Sequence, residues 1–81
     1  MLHAAQIRAA RALLGWRQDQ LAKASGVGTA TIQRIENTEG TVGGYVSTLM
    51  RIQTAFEKAG IRFLEGDSAG GMGVRIVTPK S

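Results

Sequence analysis

Residues 18–36 read Gln18-Asp19-Gln20-Leu21-Ala22-Lys23-Ala24-Ser25-Gly26-Val27-Gly28-Thr29-Ala30-Thr31-Ile32-Gln33-Arg34-Ile35-Glu36. Leu21 and Ala22 are the inward residues of a short helix from about Gln18 to Ala24. Ser25-Gly26-Val27-Gly28 is a turn, in which Gly26 offers a positive φ and Val27 an apolar anchor. A further short helix from about Thr29 to Glu36 follows, with Gly28 at its N-cap and Ile32 and Ile35 facing inward. Two helices joined this closely must cross steeply. The crossing needs small residues at the contact, which Ala22 and Gly26 supply. It also needs apolar anchors, supplied by Leu21, Val27, Ile32 and Ile35. The solvent side of the second of these helices then carries Thr29, Ala30, Gln33 and Arg34.

Working outward, Ala4, Ile7, Ala10 and Leu14 recur at steps of three and four and predict a helix over about 4–14, closed by Gly15. Trp16 falls where a hydrophobic contact commonly follows a helix end. Arg17 occupies the N-cap of the next helix although arginine caps poorly. Downstream, 37–44 reads as an exposed loop. Ser47 is expected to cap a fourth helix of about 48–59 with Leu49, Ile52, Phe56 and Ala59 as its stripe, ended by Gly60. The period then changes: Ile61–Leu64 and Val74–Val77 have β-rich composition. The eight residues Gly66–Gly73 between them are too few for a parallel crossover, so an antiparallel hairpin or pairing with another chain is required. The expected architecture is mainly α, a bundle of about four short helices with a C-terminal β-hairpin or dimerising strands. Residues 1–60 form the main domain and 61–81 a two-strand extension.

Composition narrows the function. The 81 residues suit one core, and the apolar runs are far shorter than the ~20 residues of a membrane span. No secretory pattern opens the chain and cysteine is absent, which fits a cytoplasmic protein. The net charge of +4 lies in residues 1–34, where Arg8, Arg11, Arg17, Lys23 and Arg34 face Asp19 alone; residues 35–81 are balanced. Such a half attracts a polyanion. His3 is the lone histidine and is read as solvated. The glycine-rich 66–73 lacks the Gly-Lys-Ser/Thr ending of a phosphate loop. No catalytic constellation, metal site or cofactor site is visible, and enzymatic activity is the least supported class.

The pattern Gln18-x-x-Leu21-Ala22-x-x-Ser25-Gly26-Val27-x-x-x-Thr31-Ile32-x-x-Ile35-Glu36 resembles the phage-repressor-type (Cro/XRE) helix-turn-helix, a lambda-repressor-like fold. Arg8-Ala9-Ala10-Arg11-Ala12-Leu13-Leu14-Gly15-Trp16 is similar to the first helix of its bacterial members. The resemblance covers roughly residues 3–60 and implies double-stranded DNA as the partner. It implies that Gln18 touches a phosphate or braces a recognition side chain. It implies that Thr29 and Ala30 point at bases, that Gln33 and Arg34 follow one turn later, and that Asn37 lies near a phosphate. Gly28 and Thr31 belong to the same contact segment. Arg11 and Glu36 match positions that form a structural salt bridge. Two positions depart from the pattern. Gly28 stands where Ser or Thr commonly caps the recognition helix, and Arg17 stands where a small cap is common, placing a charge beside the expected phosphate path.

Several residues have plainer roles. Trp16 is read as packing rather than as a base-stacking platform, and Arg11 as an ion-pair partner rather than a phosphate contact. Arg34 is read as a DNA contact rather than a solvated charge, and Ala30 serves as a helix former or, through its methyl group, against a thymine methyl. A single unit reads few base pairs, so a homodimer on a palindrome is expected. Ile61, Phe63, Leu64, Val74, Ile76 and Val77 are its expected dimerisation residues; the competing arrangement folds the hairpin onto its own fourth helix. A transcriptional repressor is the leading reading. The alternatives are an antitoxin holding a toxin partner, or a protein-interaction module on the same fold.

Overall fold

A computed structural model describes residues 2–38, 46–66 and 70–77. The elements run α1 (Ala4–Leu14), α2 (Gln18–Ser25), α3 (Thr29–Glu36), α4 (Val46–Lys58), β1 (Ile61–Leu64) and β2 (Gly73–Ile76). The mainly helical architecture with a C-terminal hairpin agrees with the sequence reading. Most of the expected loop 37–44, the middle of the strand connection and the last four residues lie outside the described residues.

Glycine conformation sets the first two helix ends. Gly15 (φ 67°) closes α1 and Gly26 (φ 73°) closes α2, both left-handed. An L-residue pays roughly 1–2 kcal/mol for that conformation. The start of α1 differs from expectation. His3 is not merely solvated: its Nδ1 accepts from the Ala5 amide at 3.2 Å, while the His3 amide donates to Gln6 Oε1 at 2.8 Å. An imidazole nitrogen thus does the work usually given to a hydroxyl at an N-cap. Ser47 is also reassigned, because α4 already includes Val46 and places Ser47 inside the helix and exposed. Ala59 lies just past the helix end, where its amide donates to the Ala55 and Phe56 carbonyls. Strand β2 runs one residue earlier than the composition suggested.

The core is formed by the residues the helical stripes predicted. Ile7, Leu21, Ile32, Ile35, Ile52 and Phe56 are fully buried. Each such side chain contributes about 1.5–3 kcal/mol relative to exposure. Phe56 is the hub of an aromatic chain. Trp16 stacks on it at 5.7 Å and Phe63 meets it edge-on at 5.9 Å. The segment between α1 and α2, the fourth helix and the hairpin are therefore packed through one ring.

β1 and β2 pair antiparallel in the register Ile61↔Ile76, Arg62↔Arg75, Phe63↔Val74, Leu64↔Gly73. The hairpin folds onto its own chain, β2 against α1 and β1 against α4. Ile61 is buried in the core, and Phe63 and Val74 pack against it. Buried Gln6 reaches from α1 to clamp the strands at their connected end: its Nε2 donates to the Leu64 and Gly73 carbonyls, both at 3.1 Å. The Val77 amide donates to the Gly60 carbonyl at 2.6 Å and closes the other end. An isolated hairpin is marginal in water. Here the chain's own helices supply its apolar cover.

Candidate nucleic-acid interface

The turn between α2 and α3 comprises Gly26, Val27 and Gly28, with Val27 buried as its anchor. Ser25 braces it from the helix side: Oγ donates to the Leu21 carbonyl at 2.7 Å and accepts the Val27 amide at 3.2 Å. Gly28 takes the extended N-cap conformation (φ −63°, ψ 144°) without a side-chain cap. A Cβ at this position would meet nothing within 4 Å, so the missing hydroxyl is a choice of residue and not a demand of space.

Burial of Ile32, Ile35 and Glu36 fixes the rotation of α3 about its axis. Gly28, Ala30, Gln33, Arg34 and Asn37 are consequently exposed, and Thr29 and Thr31 are half-exposed. These residues line one continuous surface along a short rod. Arg34 Nη2 donates to Thr31 Oγ1 at 3.2 Å, one turn back. This exposed bond holds the guanidinium along the helix at little cost when it is exchanged for another acceptor. Thr38 Oγ1 donates to the Arg34 carbonyl at 3.0 Å and finishes the helix end.

Behind this surface lies one buried ionic group. Glu36 accepts from Arg11 Nε and Nη2, each at 2.7 Å, and from Gln18 Nε2 at 3.2 Å. Arg11 Nη1 donates to the Trp16 carbonyl at 3.0 Å, and Arg8 Nη1 donates to the Glu36 carbonyl. The hydrogen bonds that Arg11 donates to Glu36 raise its pKa, against partial desolvation, so the guanidinium stays charged. The bidentate geometry is the strong form of such a pair. It joins α1, the start of α2 and the end of α3, and so sets the angle at which the recognition face is offered. Gln18 sits at the joint: it braces Glu36 while remaining half-exposed at the α2 N-terminus.

Arg17 is less simple. Its Nε lies 3.0 Å from Asp19 Oδ1 in a pair whose side chains are 73% and 63% exposed. Hydrogen bonding from Arg17 draws the Asp19 carboxyl below its ordinary range. An ion pair so open to water is worth little and can be exchanged. The Arg17 amide is held by Gln20 Oε1 at 2.8 Å, so the helix start is capped by the residue three positions on and not by the arginine side chain.

The site residues predicted from the sequence thus divide. Gly28, Thr29, Ala30, Thr31, Gln33, Arg34 and Asn37 lie together along the turn and α3. Gln18 and Arg17 stand at the α2 N-terminus, and Arg11 and Glu36 lie behind. Residues 7–42 match the helix-turn-helix family model. Over that stretch the chain is similar to helix-turn-helix domains of the Cro/C1 type. No curated protein matches the chain. A domain of this family is a DNA-binding unit of transcription regulators. Within its pattern three contributors escaped the sequence reading. Gln20 and Thr38 secure the ends of α2 and α3, and Arg8 ties α1 to the end of α3. The first had a visible signal, a glutamine three residues after the cap. The other two depend on tertiary placement. Among the described residues no group of acids, histidines or cysteines could hold a metal ion, and no helix is long and apolar enough to cross a membrane.

Proposed function

We propose that the protein is a cytoplasmic transcriptional repressor that binds operator DNA through the exposed face of α3 and acts by occluding the site. The observation that carries this reading is the uncovered row of Ala30, Gln33, Arg34 and Asn37, held at a fixed angle by the buried Arg11–Glu36–Gln18 group. In a major groove ~12 Å wide, a rod of this size places the α3 N-terminal half against base edges. Ala30 offers a methyl for thymine. Gln33 matches adenine and Arg34 guanine, the side-chain pairings the major-groove code favours. Arg17, Gln18, the Gly28 amide and Asn37 take phosphates, which position the domain without reading sequence.

Two copies about 34 Å apart would read a palindrome on one face of the duplex. The tail strands supply the pairing surface. Ile61, Phe63 and Val74 are committed to their own core, so the exposed Ile76 and the half-buried Leu64 and Val77 carry the contact along the hairpin. Selection of bound genomic fragments, followed by titration of the enriched duplex at rising salt, tests the reading. A palindromic consensus bound two chains per duplex, with affinity falling steeply as salt rises, is the expected result. Enrichment of no sequence over bulk fragments, or a salt-insensitive titration, contradicts it.

A further inference from the structure

Between the C-terminal end of α2 and the outer face of α4 runs an open groove of about 290 Å³, lined by Ala24, Ser25, Met50, Arg51, Thr54, Ala55 and Lys58. Its floor is the buried Ala55. One wall is apolar: Met50 is 64% exposed, and just beyond the groove, one turn earlier on α4, Val46 is 67% exposed. Both are far more open than a core helix leaves such side chains. The rim is basic. Arg51 and Lys58 are seven residues apart on α4, which puts them about 10.5 Å apart along one helix face. Among the described residues the ion pairs are Arg11–Glu36 and Arg17–Asp19, so neither rim cation has a carboxylate partner there.

The geometry points to this groove as a docking site for an acidic amphipathic helix of a partner protein. That helix seats one bulky apolar side chain between Ala24 and Met50 and sets carboxylates two turns apart against Arg51 and Lys58. Shape decides against a small-molecule site, because the space is an open groove and not a cleft that buries most of a ligand's surface. It suits a single helix anchor, the helix-in-groove mode. Charge decides against a second copy offering the same face, which would oppose Arg51 and Lys58 to themselves. Position decides against DNA. The groove opens at Ala24–Ser25, whereas Gln18, seven residues and about 10.5 Å earlier on α2, belongs to the recognition side. The partner can therefore be held while the α3 face stays free.

The probe is a synthetic helical peptide with two glutamates seven residues apart flanking one leucine on the same face. It is titrated into the full-length protein and followed by amide shifts and fluorescence anisotropy. Two control peptides replace the glutamates by lysines or the leucine by aspartate. Binding is expected to shift Ser25, Met50, Thr54 and Lys58 and to weaken several-fold when salt is raised from about 50 to about 200 mM. Both controls should bind at least tenfold less. A Arg51→Glu/Lys58→Glu variant, checked for an unchanged circular dichroism spectrum, should prefer the lysine peptide and keep its DNA affinity within twofold. Equal binding of the acidic and basic peptides, or shifts confined to other surfaces, overturns the proposal. Loss of DNA affinity in the charge-reversed variant assigns the cations to phosphate and overturns it too. Charge-dependent self-association that the variant abolishes assigns the face to a second copy, with the same consequence.

Discussion

Removing Arg11 should cost far more than removing the charge it holds. The Glu36 side chain is 2% exposed, whereas that of Arg11 is 21% exposed. In Arg11→Met, Glu36 loses both 2.7 Å bonds and keeps only the 3.2 Å contact from Gln18. A buried carboxylate stranded in this way costs about 3–5 kcal/mol. In Glu36→Gln the volume is kept, and Arg11 retains the Trp16 carbonyl and its access to water. The loss is then one weakened charged hydrogen-bond set, about 1.5–3 kcal/mol. The double variant Arg11→Met/Glu36→Leu should lose less than Arg11→Met alone, because no charge is left behind. Urea denaturation followed by circular dichroism at neutral pH measures all three. A domain of this size has roughly 4–12 kcal/mol in total, so Arg11→Met should be close to half unfolded at modest urea concentrations. Arg11→Met within about 1 kcal/mol of the parent, or costlier loss in Glu36→Gln than in Arg11→Met, would refute the reasoning.

Arg34→Ala should weaken binding to the selected operator by about 1–3 kcal/mol, roughly five- to 150-fold, with little change in thermal stability, as read by anisotropy and calorimetry. Gly28→Ser should gain a few tenths of a kcal/mol from the added cap and up to ~1 from reduced unfolded-state freedom, since the site is open and already extended; a urea midpoint checks it. Asp19→Asn removes the carboxylate that competes with phosphate for Arg17 and should tighten DNA binding modestly, with the log–log salt slope close to the parent's because Arg17 meets phosphate in both; a salt titration of the duplex checks it. Because the Asp19 carboxyl is drawn below its ordinary range, its contribution is present at neutral pH and is lost only as pH falls through that lowered value. The parent's affinity should then approach that of Asp19→Asn only in strong acid. Arg75→Glu turns the like-charged Arg62↔Arg75 cross-strand pair into an opposite pair and should stabilise the hairpin by about 0.2–1 kcal/mol, measurable as a raised urea midpoint.

The helical part of the fold was legible because each stripe is amphipathic and each break is chemical. Gly15 and Gly26 end α1 and α2 in the left-handed conformation the sequence asked for. Ile32 and Ile35 set the rotation of α3, and with it the exposed row, before any coordinate. The Arg11–Glu36 pair followed from the family pattern, whereas the third member, Gln18, was read only as touching a phosphate or bracing a recognition side chain, and its bond to the carboxylate was not foreseen. What was not legible is long-range. Nothing local to Gln6 says that its amide will hold Leu64 and Gly73, residues 58 and 67 positions away. The strand composition left open what would cover the apolar face, because α1, α4 and a second chain satisfy the same pattern. The His3 cap was missed because imidazole is an uncommon acceptor there, and Ser47 was overvalued because serine before an apolar run imitates a helix start.

The most direct measurement is a map of amide shifts as the selected duplex is added to the isotope-labelled protein. The account predicts the largest changes at Gln18, along Gly28–Arg34 and at Asn37, with Ala24–Ser25 and the Arg62–Arg75 face of the hairpin nearly still. A map centred on the hairpin or the α4 groove, with Thr29, Gln33 and Arg34 unmoved at saturation, would contradict it.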